Sequence, residues 1–596
     1  MPSGRLTLNW VGKDQALLTT RDGGYEWVDR TDPRVTEIRL LHGRETVGAV
    51  GPDEKRAADN LLIHGDAADG LRTLLNLPEY APEYRGKVKL VYIDPPFNTN
   101  QTFLHYDDSL EHSVWLTMMR DRLTLIRDLL APDGSVWVHL DDAEMSYCKV
   151  VLDELFGRAN FVATVIWQKV YSPKNSARHL SVDQDYILVY ARNADAWCPR
   201  SLTRTADMDA AYQNPDNDKR GPWKPGDLVA NKPYSLGRYP ITTPSGRSVA
   251  GPPPGRFWRI SADRLAELDA DDRIWWGEAE ANIPALKRFL TEVRGRVPQT
   301  LWLYSEVGHS QTGKNEIQAL FPGKEPFATP KPERLLQRII AIASGPGDIV
   351  LDCFGGSGTS AAVAHKMGRR WVTVEREKST VDDFMRPRLE MVVSNDDPGG
   401  ITSERVDQSD PDLPTGVVPG QARKAASALR ALFDAGLLSG ARSLTEQIIG
   451  ETVRALRSSD KSKKVVVRRW HGGGGFRVLD VGPSMYDVAD GRVLLAEWTA
   501  NGQFAAAACA QLGFTVDDDP PFAGRRGRVR LAAVDGVADE SVVRALVSNL
   551  DENERLVIVA KASAPGAESL LRELSSGSRI LKAPRDLVGV TRLVCR

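Results

Sequence analysis

Long apolar runs are missing from this chain. No stretch reaches the 18 or so apolar residues that a membrane span needs, and no charged-then-apolar leader opens it. The expectation is a cytoplasmic protein without a membrane span. Cysteine is scarce: the five (Cys148, Cys198, Cys353, Cys509, Cys595) are scattered, with no CxxC pair. That argues against a disulfide framework and a structural zinc site, fits a reducing compartment, and leaves no metal expected. Excess charge is also absent. At a net −2, composition gives no support for nucleic-acid binding, so any such surface must come from local clusters of Lys and Arg. A phosphate-loop lysine is lacking too, because Thr359 follows Gly358 directly, which disfavours nucleotide hydrolysis. No helicase or nuclease motif is found.

What is present is 596 residues, 42% hydrophobic and 26% charged, the profile of a globular protein of roughly two to four folding units. Two segments carry chemistry. In the first, the apolar run KVKLVYI ends in Asp94-Pro95-Pro96-Phe97. Two adjacent prolines cannot continue a sheet ladder, so they fix the backbone just past a strand end. A carboxylate and an aromatic face are thereby held about one point, a place that fits a planar base with an exocyclic amine. In isolation the same motif is also an ordinary strand-ending turn with an Asp cap.

The second segment, IVLDCFGGSGTSAAVAHKMGRRWVTVE, reads as strand, glycine turn, helix, strand and acid. This is the βαβ plan for a nucleoside-bearing ligand: glycines let the ligand approach the backbone, and the helix N-terminus offers unpaired amides. Glu375 stands 17 residues after Gly358, near the spacing of an acid that binds ribose hydroxyls.

Together the two segments resemble the amino-methyltransferases that act on DNA bases. The order, Asp-Pro-Pro-Phe before Asp-x-Phe-x-Gly-x-Gly, is similar to the circularly permuted β-group of that family, and length and the run YIDPPFNT look most like modification subunits of type III restriction-modification systems. Ile63-His64-Gly65-Asp66, Thr329-Pro330-Lys331-Pro332, GSVWVHLDD (134–142) and SVDQDYILVYAR (181–192) also match, so the resemblance covers roughly residues 50 to 385. It implies an α/β fold: a Rossmann-like methyltransferase core with a mixed, mostly parallel sheet, an inserted target-recognition region and a C-terminal α+β module. It implies S-adenosylmethionine as cofactor, held by Asp66, Lys331, Asp352, Phe354, Gly356, Gly358 and Glu375, with Gly65-Asp66 at its adenine and the Lys331 segment over its methionine end. Asp94, Pro95, Pro96 and Phe97 become the catalytic, base-holding set.

Boundaries read from composition are an N-terminal extension (1–55), a catalytic half (56–192), a recognition insertion (193–325), a cofactor half (326–390), a linker (391–419) and a C-terminal module (420–596). A break is expected at Pro132-Asp133-Gly134. In the insertion, Lys219, Arg220, Lys224, Arg247, Arg256, Arg259, Lys287 and Arg288 are candidates for contact with double-stranded DNA, against the alternative of a solvated loop surface. Tyr92, His105, Tyr106, Trp137 and His139 flank the catalytic motif and read as wall or core. Lys461, Lys463, Lys464, Arg468 and Arg469 with Trp470 read either as a backbone or partner contact or as a solvated ribbon.

Adenine amine is a poor nucleophile because its lone pair is delocalised. Acceptors at Asp94 and the Pro95 carbonyl favour its localisation, while Phe97 aligns the ring. In the family this chain resembles, members that methylate the cytosine amine often open this motif with Ser, so the resemblance with Asp at position 94 implies adenine N6 over cytosine N4. The resemblance adds a homodimer and a helicase-nuclease restriction partner. A solitary methyltransferase and a non-catalytic recognition subunit of the same fold stay open.

Overall fold

The computed structural model describes all residues except 1–5, 21–23, 99–100, 104–105, 109–110, 174–176, 205, 294, 409–420, 438–441, 460–462, 490–491, 500–502 and 588–596. His105, Lys461, Cys595 and the end of the expected linker therefore lie outside the described residues. The chain divides into two compact units, one of residues 1–200, 299–404 and 467–596, the other of 201–298 and 405–466.

In the first unit a hairpin, β1 (Gln15–Thr19) and β2 (Tyr25–Asp29), precedes a ten-stranded mixed sheet. Its strands are β3 (Leu41–Gly48), β4 (Leu61–His64), β5 (Val88–Ile93), β6 (Leu130–Leu140), β7 (Phe161–Gln168), β8 (Gln184–Ala191), β9 (Leu301–Trp302), β10 (Ile349–Asp352), β11 (Arg370–Glu375) and β12 (Gly475–Val481). Spatially they lie β9-β7-β8-β6-β5-β10-β11-β4-β12-β3. The centre, from β6 through β12, is parallel, and antiparallel pairs occur where β8 meets β6 and β7 and where β12 meets β3. This is the mixed, mostly parallel sheet expected from the sequence.

The central strands are buried on both faces, which is why they read as unbroken apolar runs rather than alternating ones. The helices of this unit include α1 (Ala67–Asn76), α2 (His112–Leu129), α3 (Met145–Phe156), α4 (Ser310–Leu320), α5 (Glu333–Ala343), α6 (Thr359–Lys366) and α7 (Arg386–Ser394). Asp66 caps α1 by accepting the Ala68 N–H at 2.7 Å. Pro332 precedes α5, whose buried Leu335, Leu336, Ile339 and Ile340 recur at helical spacing. The crossovers β5-α2-β6 and β10-α6-β11 step in opposite directions along the sheet, so right-handed connections put their helices on opposite faces.

Two features differ from the reading of the sequence. Pro132-Asp133-Gly134 does not end a strand: Val88 pairs with Leu130 and Leu90 with Ser135, so the intervening residues bulge out of β6. β12 comes from the stretch read as a C-terminal module, yet it pairs with β4 inside the core sheet. Beyond it stands a separate five-stranded sheet, β13 (Thr515–Asp519), β14 (Phe522–Arg526), β15 (Val529–Ala538), β16 (Arg555–Ser563) and β17 (Arg579–Lys582), in that order.

In the second unit, strands Trp223–Asp227, Ile274–Trp275 and Ala285–Phe289 form an antiparallel sheet. Leu228, Trp258, Leu265 and Trp276 are among the residues of its small core.

Candidate active site

Asp94 and Asp352 follow or end neighbouring parallel strands. β5 and β10 pair through Leu90 with Val350 and Val91 with Leu351, so residues far apart in sequence share one carboxyl-end crevice. In open α/β sheets that edge is where ligands bind.

The prolines stop β5, and the Trp115 indole N–H holds the turn by donating to the Pro96 carbonyl at 2.7 Å. Phe97 packs on His139, ring centroids 5.8 Å apart at 27°, and Lys331 Nζ lies 5.1 Å from the other ring's centre, that of Phe97 itself. The Lys331 ammonium also donates to Asp94 Oδ2. Asp94 Oδ1 is buried and accepts from nothing among the described residues. Asp94 is among the residues that line a cavity of about 1000 Å³.

Beneath Phe97, His139 is fully buried. Its Nε2–H donates to Asp185 Oδ2 at 3.3 Å, and its Nδ1 accepts the Tyr92 hydroxyl at 3.0 Å. Burial, helped by the charge of Lys331, holds His139 below its usual pKa, so the ring is neutral. Burial works against ionising Asp185, but the His139 hydrogen bond and the nearby Lys169 charge outweigh it and keep that carboxyl low. Lys169 donates to Asp185 Oδ1 at 2.5 Å, and Lys169, Asp185 and Trp167 all line the cavity. Sequence reasoning did not single out Trp167, Lys169 or Asp185. Nothing in their spacing marks them, because only the pairing of β7 with β8 brings them to the Asp94–Phe97 turn. Trp137 is also buried, as core.

At the other end of the cavity the glycine turn makes its close approach. Gly356 and Gly358 have φ of 49° and 75°, left-handed values that suit glycine. A Cβ on Gly355 would stand 2.3 Å from Thr373 Oγ1. The Gly356 N–H donates to Glu375 Oε2 at 2.8 Å, and the Glu377 N–H to Oε1 at 2.9 Å. Asp352 accepts from the Phe354 N–H at 3.0 Å and the Ser360 hydroxyl at 2.5 Å. Burial nevertheless pushes its carboxyl up to about 7, with Asp94 and Glu375 adding to the rise. Asp66 accepts from Thr19 and Arg122 at 2.7 and 2.8 Å. Tyr25, Arg122 and Arg376 join Asp66, Asp352, Phe354, Gly356 and Glu375 in lining the cavity. Gly358 is not among the lining residues, but it starts α6 behind them.

Of the expected cofactor set, Lys331 lines the same cavity and its ammonium pairs with the Asp94 carboxylate. The eight basic candidates lie in the second unit. Lys219, Arg247, Arg256, Arg259 and Arg288 are exposed, although Arg247 donates to the Ala281 carbonyl and Arg259 to that of Val229. Lys224 lies 5.1 Å over the Tyr212 ring, and Arg220 pairs with Asp218 at 2.8 Å. Lys287 is a correction. Its side chain is 2% exposed and its ammonium meets Asp216, Asp218 and Asp272 at 2.6, 3.2 and 3.0 Å, so it is a structural cation rather than a DNA contact. Arg468 and Arg469 are likewise engaged, with Asn395 and Glu404, and the Trp470 indole N–H donates to the Val392 carbonyl.

A carboxylate with a buried oxygen unpaired among the described residues, an aromatic ring beside it and a glycine turn at the adjoining strand end thus line one cavity. Residues 88–386 match the N6_N4_Mtase family, described as DNA methylase, and the chain belongs to it. Among curated relatives, the Mod subunit of the type III restriction-modification enzyme StyLTI, from Salmonella typhimurium, is 31% identical over 54% of this chain and 53% of its own length. The type II methyltransferase M.EcaI of Enterobacter cloacae is 27% identical, over 64% and 77%. The type III EcoP15I Mod subunit of Escherichia coli is 25% identical, over 63% and 65%. The chain spans about half the length of the first of these relatives.

Proposed function

We propose that the chain is a site-specific DNA methyltransferase that moves a methyl group from S-adenosylmethionine to the N6 amine of an adenine rotated out of double-stranded DNA. The observation that carries this reading is Asp94 Oδ1, a buried acceptor without a partner among the described residues, on a side chain whose residue lines the cavity. A buried lone acceptor costs stability, so it is retained where a ligand supplies the donor.

The cofactor fits the residues present. At Gly355 a Cβ would collide with Thr373, Glu375 ends the next strand as the acid for ribose hydroxyls, and Asp66 and Tyr25 line the same cavity. When bound, S-adenosylmethionine supplies an electrophilic methyl group on a sulfonium whose departure leaves a neutral thioether. Asp94 Oδ1 accepts one N–H of the amine and the Pro95 carbonyl the other, which favours a tetrahedral nitrogen whose lone pair is withdrawn from the ring π system. Phe97, braced by His139, holds the base face. The carboxylate stabilises the positive charge growing on nitrogen, and the surplus proton leaves along its hydrogen bond. One such acceptor contributes on the order of 10²–10³ in rate.

Asp at position 94 favours adenine, with cytosine N4 as the alternative. Likeness to Mod subunits supports a type III restriction-modification setting, with a homodimer and a restriction partner in the cytoplasm. A solitary enzyme or a recognition-only subunit are the competing readings. Mapping modified bases in DNA treated with the purified chain tests this: N6-methyladenine within one short sequence supports it, N4-methylcytosine overturns the base, and unmodified DNA overturns the activity.

A further inference from the structure

The connection between β7 and β8 leaves an apolar surface at the rim of the cavity. Its ends are tied, because the Lys169 and Val170 N–H groups both donate to the Asp183 carbonyl, at 2.9 and 3.3 Å. The Ser310 N–H donates to the Lys169 carbonyl at 3.0 Å. Lys169, Val170, Ser310 and Lys314 line the cavity, so Tyr171 and His309, each next in sequence to a lining residue, stand at its edge.

Tyr171 is 64% exposed, yet it is braced. Its ring meets Tyr304 edge-on at 5.1 Å and His309 at 6.5 Å, and those two rings stack on each other at 5.9 Å. On the same connection Leu180 is 86% exposed and Val182 48%. One exposed apolar residue is ordinary, but three on one short connection beside a cavity, one with its ring held by two others, make a contact surface. A fixed aromatic face beside a cavity that Lys314 also lines suits one class of ligand. A nucleic-acid base stacks on such a ring while its phosphates lie near the cations, and apolar side chains fill a gap opened in a base stack.

We propose that Tyr171, seated on Tyr304 and His309, is the platform on which the nucleotide beside the rotated base stacks, with Leu180 and Val182 occupying the space that base vacates. This rests on the base-rotating methyltransferase reading above. It adds the surface that offsets the cost of unstacking, which catalytic residues alone do not supply.

Two readouts test it on the full chain. Unmethylated bacterial DNA substituted with 5-iodouracil, irradiated with the protein and S-adenosylmethionine, should cross-link at Tyr171, located by peptide mass spectrometry. Tyr171→Leu should remove that cross-link and leave others. In transfer assays Tyr171→Ser should lower kcat/KM on duplex DNA at least tenfold, the range for one lost stacked base. Tyr171→Trp should restore it to within threefold, and cofactor affinity and Tm should not move in either variant. Cross-links confined to other residues, or wild-type kinetics in Tyr171→Ser, overturn the platform. A Tyr171 cross-link without methyl transfer by the wild-type chain supports the platform and overturns the methyltransferase reading instead.

Discussion

Lys331 and Asp94, 237 residues apart in sequence, form an ion pair in which the ammonium meets Oδ2, while the buried Oδ1 has no partner among the described residues. The arrangement fixes the direction of the carboxylate and leaves one of its oxygens unbonded among the described residues. Lys331 also lies over Phe97, so one cation holds both halves of the Asp-Pro-Pro-Phe turn.

Removing that cation should therefore damage transfer more than cofactor binding. Lys331→Met is expected to lower kcat by about 10- to 100-fold, the worth of one hydrogen bond to a charged group, with the S-adenosylmethionine Kd within about threefold of wild type. Stopped-turnover assays and calorimetric titration check the two arms. A parallel loss of cofactor affinity would return Lys331 to the cofactor-binding role that the sequence suggested.

Asp352 predicts a pH effect on stability. Its folded-state carboxyl is pushed up to about 7 by burial, above its ordinary value of 3.8. The folded state thus binds the proton more tightly, and this contribution is fully present below the unfolded pKa and lost as pH rises toward 7. Asp352→Asn should raise Tm at pH 8 and leave it nearly unchanged at pH 4. Equal shifts at both pH values would contradict the burial argument.

Lys287 should matter to folding and not to DNA. Deleting the ammonium leaves Asp218, itself 3% exposed, short of one partner, although Arg220 remains. Lys287→Met is expected to destabilise the chain by about 3 kcal/mol in urea denaturation, the low end for breaking a buried pair. Arg256→Ala, at an exposed site, should change stability by less than about 0.5 kcal/mol.

The legible parts of this site were those whose chemistry is local. Pro95 and Pro96 mark a strand end wherever they occur, and the Gly355–Gly358 turn with Glu375 beyond it is a contiguous βαβ pattern. Both stand where the sequence put them. What stayed hidden depends on long-range pairing. Lys331 meets Asp94 only because β10 lies beside β5, and Lys169 and Asp185 reach the turn only through the β7–β8 hairpin. β12 enters the core sheet from the far end of the chain, next to β4, with no local sign of it. Lys287 misled for a different reason: a basic residue in a Trp- and Arg-rich stretch reads as surface, and its three aspartates come from two other loops.

The most direct test of the central claim is methyl transfer from labelled S-adenosylmethionine into unmethylated bacterial DNA, comparing wild type with Asp94→Ala. The account predicts incorporation by the wild type into adenine, and a loss of at least about 10²-fold in the variant while its cofactor binding persists. Wild-type turnover by Asp94→Ala would contradict it.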